Sequence, residues 1–341
     1  MNIVITGATS MIGVSLLKKC MKEGAKVYAV VRKDSGRLSR LENIDGIKLI
    51  YCDIEEYGSL PEKIGTGCDI FYHLAWKGTG SSAQRNADLK GQAENIGYTL
   101  DALKAAHELG AKTFVGAGSQ AEYGLKNVDA ISPDESANPI QPYGIAKYAA
   151  GKMAGHLAKR YGMNCFWVRI FSVYGELDDS HTMICYTIEK LKKREMPKYT
   201  PAGQRWDYLY CEDAAKALYL IGKQDKGNKV YCLGSGIRRP LAEYIRIIRD
   251  KIDPKLPVGL GAYDYPENAV MNLCADISEI RRDTGWEPDT AFESGIQRIL
   301  DFQNMESGGA NLNPKALIRN GLQCYVLSRF FTKHRKLCCH A

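Results

Sequence analysis

Asn2-Ile3-Val4-Ile5-Thr6-Gly7-Ala8-Thr9-Ser10-Met11-Ile12-Gly13 is an apolar, β-branched run that breaks at a glycine and resumes as a helical pattern over residues 11–22. A short unbroken apolar run suits a strand buried on both faces. Similar runs fall at 26–31, 47–53, 69–75, 112–118 and 164–171, and helical patterns fall between them at 93–109 and 143–161. Buried strands alternating with helices predict a parallel sheet covered on both faces, hence a doubly wound α/β domain over residues 1–171. Beyond Phe171 the regularity changes. Helical patterns at 182–194, 213–222 and 241–252, with short strands at 229–233 and 258–261, predict a smaller mixed α/β lobe over 172–303, with some return to the main sheet. Residues 304–341 read as a linker, centred on 305–314, followed by a basic tail. No internal repeat is visible, and 341 residues suit one large domain or two.

The turn in the opening stretch carries chemistry. Gly7 stands where the backbone bends sharply from strand to helix, and Gly13 where helix and strand pack closely. The exposed N–H groups and dipole of a helix N-terminus then receive a pyrophosphate. Ser10 replaces the usual middle glycine, but the strand–turn–helix context supports a dinucleotide site built from Gly7, Thr9, Ser10, Met11, Ile12 and Gly13. A carboxylate after the second strand would hydrogen-bond the adenosine ribose of NAD, whereas cations there suit the 2′-phosphate of NADP. Arg32-Lys33 follow that strand, with Arg37 and Arg40 soon after, so NADP(H) is the preferred cofactor. The alternative is a solvated loop in which Asp34 binds the ribose of NAD(H). Asp53-Ile54, at the end of the third strand, are placed to bracket the adenine.

Tyr143 and Lys147 lie four apart at the start of a helical pattern, on one face. A tyrosine ionising near pH ~10 is a poor acid–base catalyst at neutral pH, and a neighbouring ammonium favours its phenolate. Ser119, in Gly116-Ala117-Gly118-Ser119, falls at the carboxyl end of the fifth strand, where open α/β sheets bind ligands.

These motifs resemble the extended short-chain dehydrogenase/reductase family, the NAD(P)-dependent nucleotide-sugar epimerases, dehydratases and reductases. The resemblance covers about residues 1–302 and includes the glycine turn, Asp53-Ile54, His73-Leu74-Ala75, Asn95-Ile96-Gly97, Ser119 with Tyr123-Gly124, and Tyr143 to Lys147. It continues through Arg169 with Val173-Tyr174-Gly175, Asp207-Tyr208 with Asp213-Ala214, and Gly285-Trp286-Glu287-Pro288. It implies a Rossmann fold and a catalytic trio. Tyr143 is the general acid or base on the sugar oxygen, Ser119 hydrogen-bonds that oxygen, and Lys147 holds the nicotinamide ribose. Asn95 matches a position that orients the lysine or packs its helix. Leu74, Ala75 and Ile170 are assigned to the cofactor, and Gln120, Ser172 and Arg205, with Ser119 and Tyr143, to the substrate.

Departures from the family pattern narrow the reaction. Dehydratases carry Asp-Glu after the Ser/Thr, but here Gln120-Ala121 cannot transfer the protons of an elimination. The GDP-fucose-forming branch needs a cysteine at the position of Ala121. Two readings remain: a 4-epimerase that recycles one hydride, or a 4-ketoreductase that consumes one each turnover. Arg32-Lys33 tilt the reading to NADPH-dependent reduction of a nucleoside-diphospho-4-keto-6-deoxyhexose in deoxysugar biosynthesis, similar to CDP-abequose and paratose synthases. Ser172 replaces a common asparagine near the substrate diphosphate, Trp206 a phosphate-binding arginine with Arg205 one residue earlier, and Glu176 a common proline. A different class remains open: a non-enzymatic NADP(H)-sensing scaffold, whose usual mark is loss of the Tyr or Lys.

Charge and cysteines complete the picture. Of the 46 basic residues, six lie within 311–341, where there is no acidic one; the other 310 residues carry 40 against 39. The body therefore offers no electrostatic case for nucleic acid, and none is expected as a partner. The tail over 313–341 mixes cations with Leu322, Tyr325, Val326 and Phe330 in one helical stripe, suited to a peripheral membrane surface or a protein contact. No secretory signal or apolar run of membrane-spanning length is seen, and scattered single cysteines suit buried thiols, so a cytoplasmic enzyme is expected. Cys338-Cys339 with His334 and His340 lack metal-site spacing, so no metal is expected. A homodimer is implied by the resemblance alone.

Overall fold

The computed structural model describes residues 1–307 apart from Ser81 and Lys226, without the side chains at 82, 83, 85, 306 and 307. Its ten strands are β1 (Asn2–Thr6), β2 (Lys26–Val31), β3 (Lys48–Tyr51), β4 (Ile70–His73), β5 (Thr113–Ser119), β6 (Asn164–Ile170), β7 (Ser172–Tyr174), β8 (Arg205–Tyr210), β9 (Asn228–Leu233) and β10 (Arg238–Pro240). The ten α-helices are α1 (Met11–Lys22), α2 (Leu60–Ile64), α3 (Ser82–Ala87), α4 (Leu89–Glu108), α5 (Pro142–Arg160), α6 (Met183–Lys192), α7 (Cys211–Gly222), α8 (Leu241–Ile252), α9 (Ser278–Thr284) and α10 (Phe292–Ser307).

Seven strands form one parallel sheet in the order β3-β2-β1-β4-β5-β6-β9. This is the doubly wound α/β Rossmann arrangement. Strand order reverses between β1 and β4, which opens a crevice at their carboxyl ends. Ile3, Val4 and Ile5 on β1 and Phe71 and Tyr72 on β4 are wholly buried, which is why those runs carry no polar alternation. The polar residues that end them, Thr6 and His73, are register partners on the floor of the crevice. The seventh strand, β9, comes from residue 228 onward and pairs with β6, so the chain returns to the main sheet after building part of the lobe.

The lobe holds a three-stranded sheet, β10-β8-β7, that the sequence did not reveal. The reason lies in β8. Asp207 occupies a fully buried inward position, its carboxylate accepting N–H bonds from Ser235, Gly236 and Ala275, so the apolar alternation is broken by a charge. The strand expected at 258–261 is not formed; Gly259 makes only an isolated bridge with Lys198. The expected linker also starts too early, since α10 continues through residues 305–307 up to the Gly308-Gly309 pair. The basic tail lies outside the described residues.

Seven of the eight described cysteines are buried and all eight are free thiols. Among the described residues, no helix is long and apolar enough to cross a membrane, and no group of three His, Cys, Asp or Glu residues is placed to hold a metal.

Candidate active site

The glycine turn closes as tightly as its sequence demands. Gly7 adopts φ +68°, and a Cβ there would lie 2.8 Å from the backbone nitrogen of Ala75. A Cβ on Gly13 would lie 2.3 Å from the Gly7 carbonyl oxygen. Ser10 caps α1, its Oγ accepting from the Gly13 N–H at 3.0 Å and donating to the Gly7 carbonyl at 2.8 Å. Ser10 thus performs the local closure that a middle glycine would leave to backbone alone. Met11 and Ile12 fill the first turn, where amides have no intrahelical acceptor. Such a cradle, with its amides at a helix N-terminus, fits a pyrophosphate. Leu74 and Ala75 leave β4 directly against it, and the Ala75 N–H donates to Thr6 Oγ1.

Past the end of β2 the four basic residues divide. Arg40 donates to the Thr9 carbonyl at 3.1 Å, and Arg37 pairs with Asp179 of the lobe. Arg32 and Lys33 stay exposed at the end of β2. Ile54 is buried beside exposed Asp53, at the start of a 3₁₀ turn over Ile54–Ser59. A cavity of about 370 Å³ flanks this edge of the sheet, lined by Lys33, Tyr51, Cys52, Asp53, Glu56 and Lys63 among others, and contains none of Ser119, Tyr143 and Lys147.

The trio is assembled by α5 and the end of β5. Pro142 supplies the first turn of α5, and Gly144 lies so close to the preceding turn that a Cβ would meet the Ala121 carbonyl at 2.4 Å. This approach seats Tyr143 beside the segment that follows Ser119. Ser119 is 8% exposed, and its Oγ accepts from the Ala121 N–H at 3.2 Å. Lys147 is buried, its Nζ donating to the Ala117 carbonyl at 2.7 Å and lying 5.9 Å from the centre of the Tyr143 ring. Burial pushes the Lys147 ammonium down to about 7, against the opposing pull of the Glu122 carboxylate. Ser119 is the register partner of Ile170, and half-buried Gln120 comes next in the chain.

Two residues at this site went unassigned in the sequence. Trp76 presents its ring to the Lys147 Nζ at 3.7 Å and meets the Tyr143 ring edge-on at 6.1 Å between centroids, its indole N–H held by Gln92 at 2.8 Å. Its position directly after His73-Leu74-Ala75 was the available signal. Glu122 is fully buried behind Ser119. Of the two roles open to Asn95, orienting the lysine or packing its helix, the contacts are with its own helix and a neighbouring loop. Its amide accepts from the Lys77 N–H at 2.7 Å and donates to the carbonyls of Lys77 and Gly91, so it shapes the loop after β4 rather than touching Lys147. His73 is likewise structural, sharing hydrogen bonds with Thr6 and Thr99. Burial, followed by Lys147, pushes His73 down to about 3, so it stays neutral.

In the lobe, Ser172 accepts from the Trp206 indole N–H at 2.8 Å, and Arg205 is exposed at the start of β8. Glu176 accepts from the Tyr210 hydroxyl.

Comparison with known proteins agrees with this geometry. The NAD dependent epimerase/dehydratase family matches residues 3–234. The chain belongs to that family. A putative UDP-glucose 4-epimerase of Methanocaldococcus jannaschii is 26% identical over 308 residues, covering 88% of this chain and 97% of the relative. A CDP-abequose synthase of Salmonella muenchen is 24% identical, covering 89% and 98%. The solved UDP-N-acetylglucosamine 4-epimerase from Methanobrevibacter ruminantium superimposes with a TM-score of 0.81 at 24% identity, covering 89% of this chain and 98% of that one.

Proposed function

We propose that this protein transfers a hydride between a nicotinamide cofactor and C4 of a nucleotide-linked hexose, with Tyr143, Lys147 and Ser119 as its catalytic residues. The observation that carries the proposal is the placement of Tyr143 and buried Lys147 on one face of α5, against the Ser119 turn at the carboxyl end of β5. A nucleotide-binding scaffold that did no chemistry would gain nothing from burying a lysine beside a tyrosine. Residues Gly7 to Gly13 would hold the cofactor pyrophosphate, Leu74, Ala75 and Ile170 would flank it, and Asp53-Ile54 would bracket the adenine. When bound, the nicotinamide supplies or takes up the hydride. The Tyr143 hydroxyl gives its proton to the C4 oxygen as a ketone is reduced, and the Tyr143 phenolate takes one back as an alcohol is oxidised. Ser119 hydrogen-bonds the same oxygen, and the Lys147 ammonium favours negative charge on the Tyr143 oxygen. Gln120, Ser172 and Arg205 would meet the nucleotide sugar.

Within that chemistry we favour net reduction of a 4-keto-6-deoxysugar with NADPH. Arg37 and Arg40 are engaged by Asp179 and Thr9, while Arg32 and Lys33 remain exposed at the end of β2, where a 2′-phosphate would lie. A second reading, 4-epimerisation with a retained NAD, is favoured by the likeness to proteins named as 4-epimerases and by the family's description. One assay separates them. Incubation with NADPH and 4-keto-6-deoxyhexoses linked to CDP, dTDP, GDP or UDP should oxidise one NADPH per sugar. Interconversion of 4-epimers without net cofactor consumption would instead establish the epimerase.

A further inference from the structure

Glu122 is the one acidic side chain among the described residues buried directly behind the proposed trio, and no step above uses it. Its surroundings are unusually complete. Oε1 accepts from the Ser119 backbone N–H at 2.8 Å and from the Trp167 indole N–H at 2.9 Å, while Oε2 accepts from Arg169 Nε at 2.8 Å. With the Ser119 side chain it forms a reciprocal cap on the turn Gln120–Tyr123, the turn on which Gly144 and the start of α5 rest. The Trp167 indole that it fixes is itself wedged against Gly118 and Gly151, where a Cβ would approach to 2.5 and 2.6 Å. Glu122 therefore touches the strand that ends in Ser119 and braces the ring against which the Lys147 helix is packed.

Charge gives the arrangement a purpose beyond packing. Two cations, Lys147 and Arg169, are buried at 3% and 4% exposure with this single carboxylate between their elements. Arg169 of β6 is the titratable group in direct contact with it, and Tyr123 of its own turn and Tyr148 of α5 lie against the Arg169 guanidinium; its charge is also felt by Lys147 of α5 and by the Cys232 thiol of β9, which hydrogen-bonds with Tyr123, while Lys147 acts in turn on His73 of β4. Of these, only Glu122 is an anion that favours keeping Lys147 charged. Burial disfavours the Lys147 ammonium, and the Glu122 carboxylate pulls the other way.

We propose that Glu122 is the positioning residue of the site: one buried carboxylate that fixes Ser119 through its backbone N–H and holds Lys147 in its charged form beside Tyr143. The proposal rests on Tyr143 and Lys147 being the catalytic pair. It predicts shifts of opposite sign. In Glu122→Gln the alkaline fall of kcat/KM moves to lower pH by about one unit. In Arg169→Met, which removes a competing cation and leaves the carboxylate to Lys147, it moves to higher pH.

The experiment measures kcat/KM against pH for the wild type and both variants, each first checked for a cooperative thermal transition, with NADPH and whichever nucleotide sugar proves active. Because the two shifts differ in sign, either variant alone tests the idea if the other does not fold. An unmoved alkaline limb in a folded variant, with activity merely lowered, would overturn the proposal and leave Glu122 a structural residue. Full activity in Tyr143→Phe and Lys147→Met is a separate result, which would remove the catalytic reading itself.

Discussion

Replacing Gly13 by alanine tests the cofactor cradle at its tightest point. The added Cβ would lie 2.3 Å from the Gly7 carbonyl oxygen and 2.9 Å from both Ala8 Cα and Ser10 Oγ. Ordinary carbon–oxygen contacts begin near ~3.3 Å, so the overlap with the carbonyl is roughly 1 Å. The neighbour is backbone and cannot rotate away. The start of α1 must therefore move off the turn, at a cost of about 1–3 kcal/mol typical of overpacking. That displacement carries the Met11 and Ile12 amides with it. Losing one charge-assisted hydrogen bond to a phosphate costs about 1.5–3 kcal/mol, which is roughly a ten- to hundredfold weaker cofactor. Titration of NADPH fluorescence gives the affinity, and thermal unfolding without cofactor should show a drop of several degrees. An alanine variant with unchanged affinity and unchanged melting temperature would refute the assignment of this turn to the pyrophosphate.

The remaining predictions are simpler to state. Tyr143→Phe should lower kcat by about 10²–10⁴-fold while cofactor affinity, measured by fluorescence titration, changes little. Arg32→Asp should reduce the NADPH-to-NADH preference in kcat/KM by roughly ten- to a hundredfold, and an unchanged ratio would remove Arg32 from the adenosine site. Lys147 is held at about 7, below the ordinary lysine value of 10.5, so its ammonium is lost as pH rises through 7 rather than through 10. The kcat/KM of the wild type should accordingly fall on the alkaline side from about pH 7, and a profile flat to pH 9 would contradict that placement of Lys147.

Much of this architecture can be read from local pattern. The strand from Asn2, the turn at Gly7 and the helix from Met11 are all short-range features, so the main sheet and its glycine turn were legible. Tyr143 and Lys147 share a helix face and could be paired by spacing. What escaped is non-local. Trp76 meets Lys147 only because β4 and α5 are brought together by the fold, and Glu122 gains its importance from Arg169 and Trp167, more than forty residues away in sequence. The sheet of the lobe was hidden for a related reason. Strands β7 and β10 are three residues long, too short for a period, and in β8 the buried Asp207 interrupts the apolar pattern by which a strand is read. Asn95 shows the converse, since its place in a familiar motif gave no indication that its amide would be spent on Lys77.

The central claim is net reduction of a nucleotide-linked 4-ketosugar by direct hydride transfer to C4, and isotope labelling tests it most directly. NADPH deuterated at the transferring position of the nicotinamide, incubated with the protein and a nucleoside-diphospho-4-keto-6-deoxyhexose, should yield a sugar carrying one deuterium at C4 for every NADPH oxidised, seen by NMR and mass spectrometry. A product with no deuterium at C4, or no product from any of the CDP-, dTDP-, GDP- and UDP-linked ketoses, would contradict it.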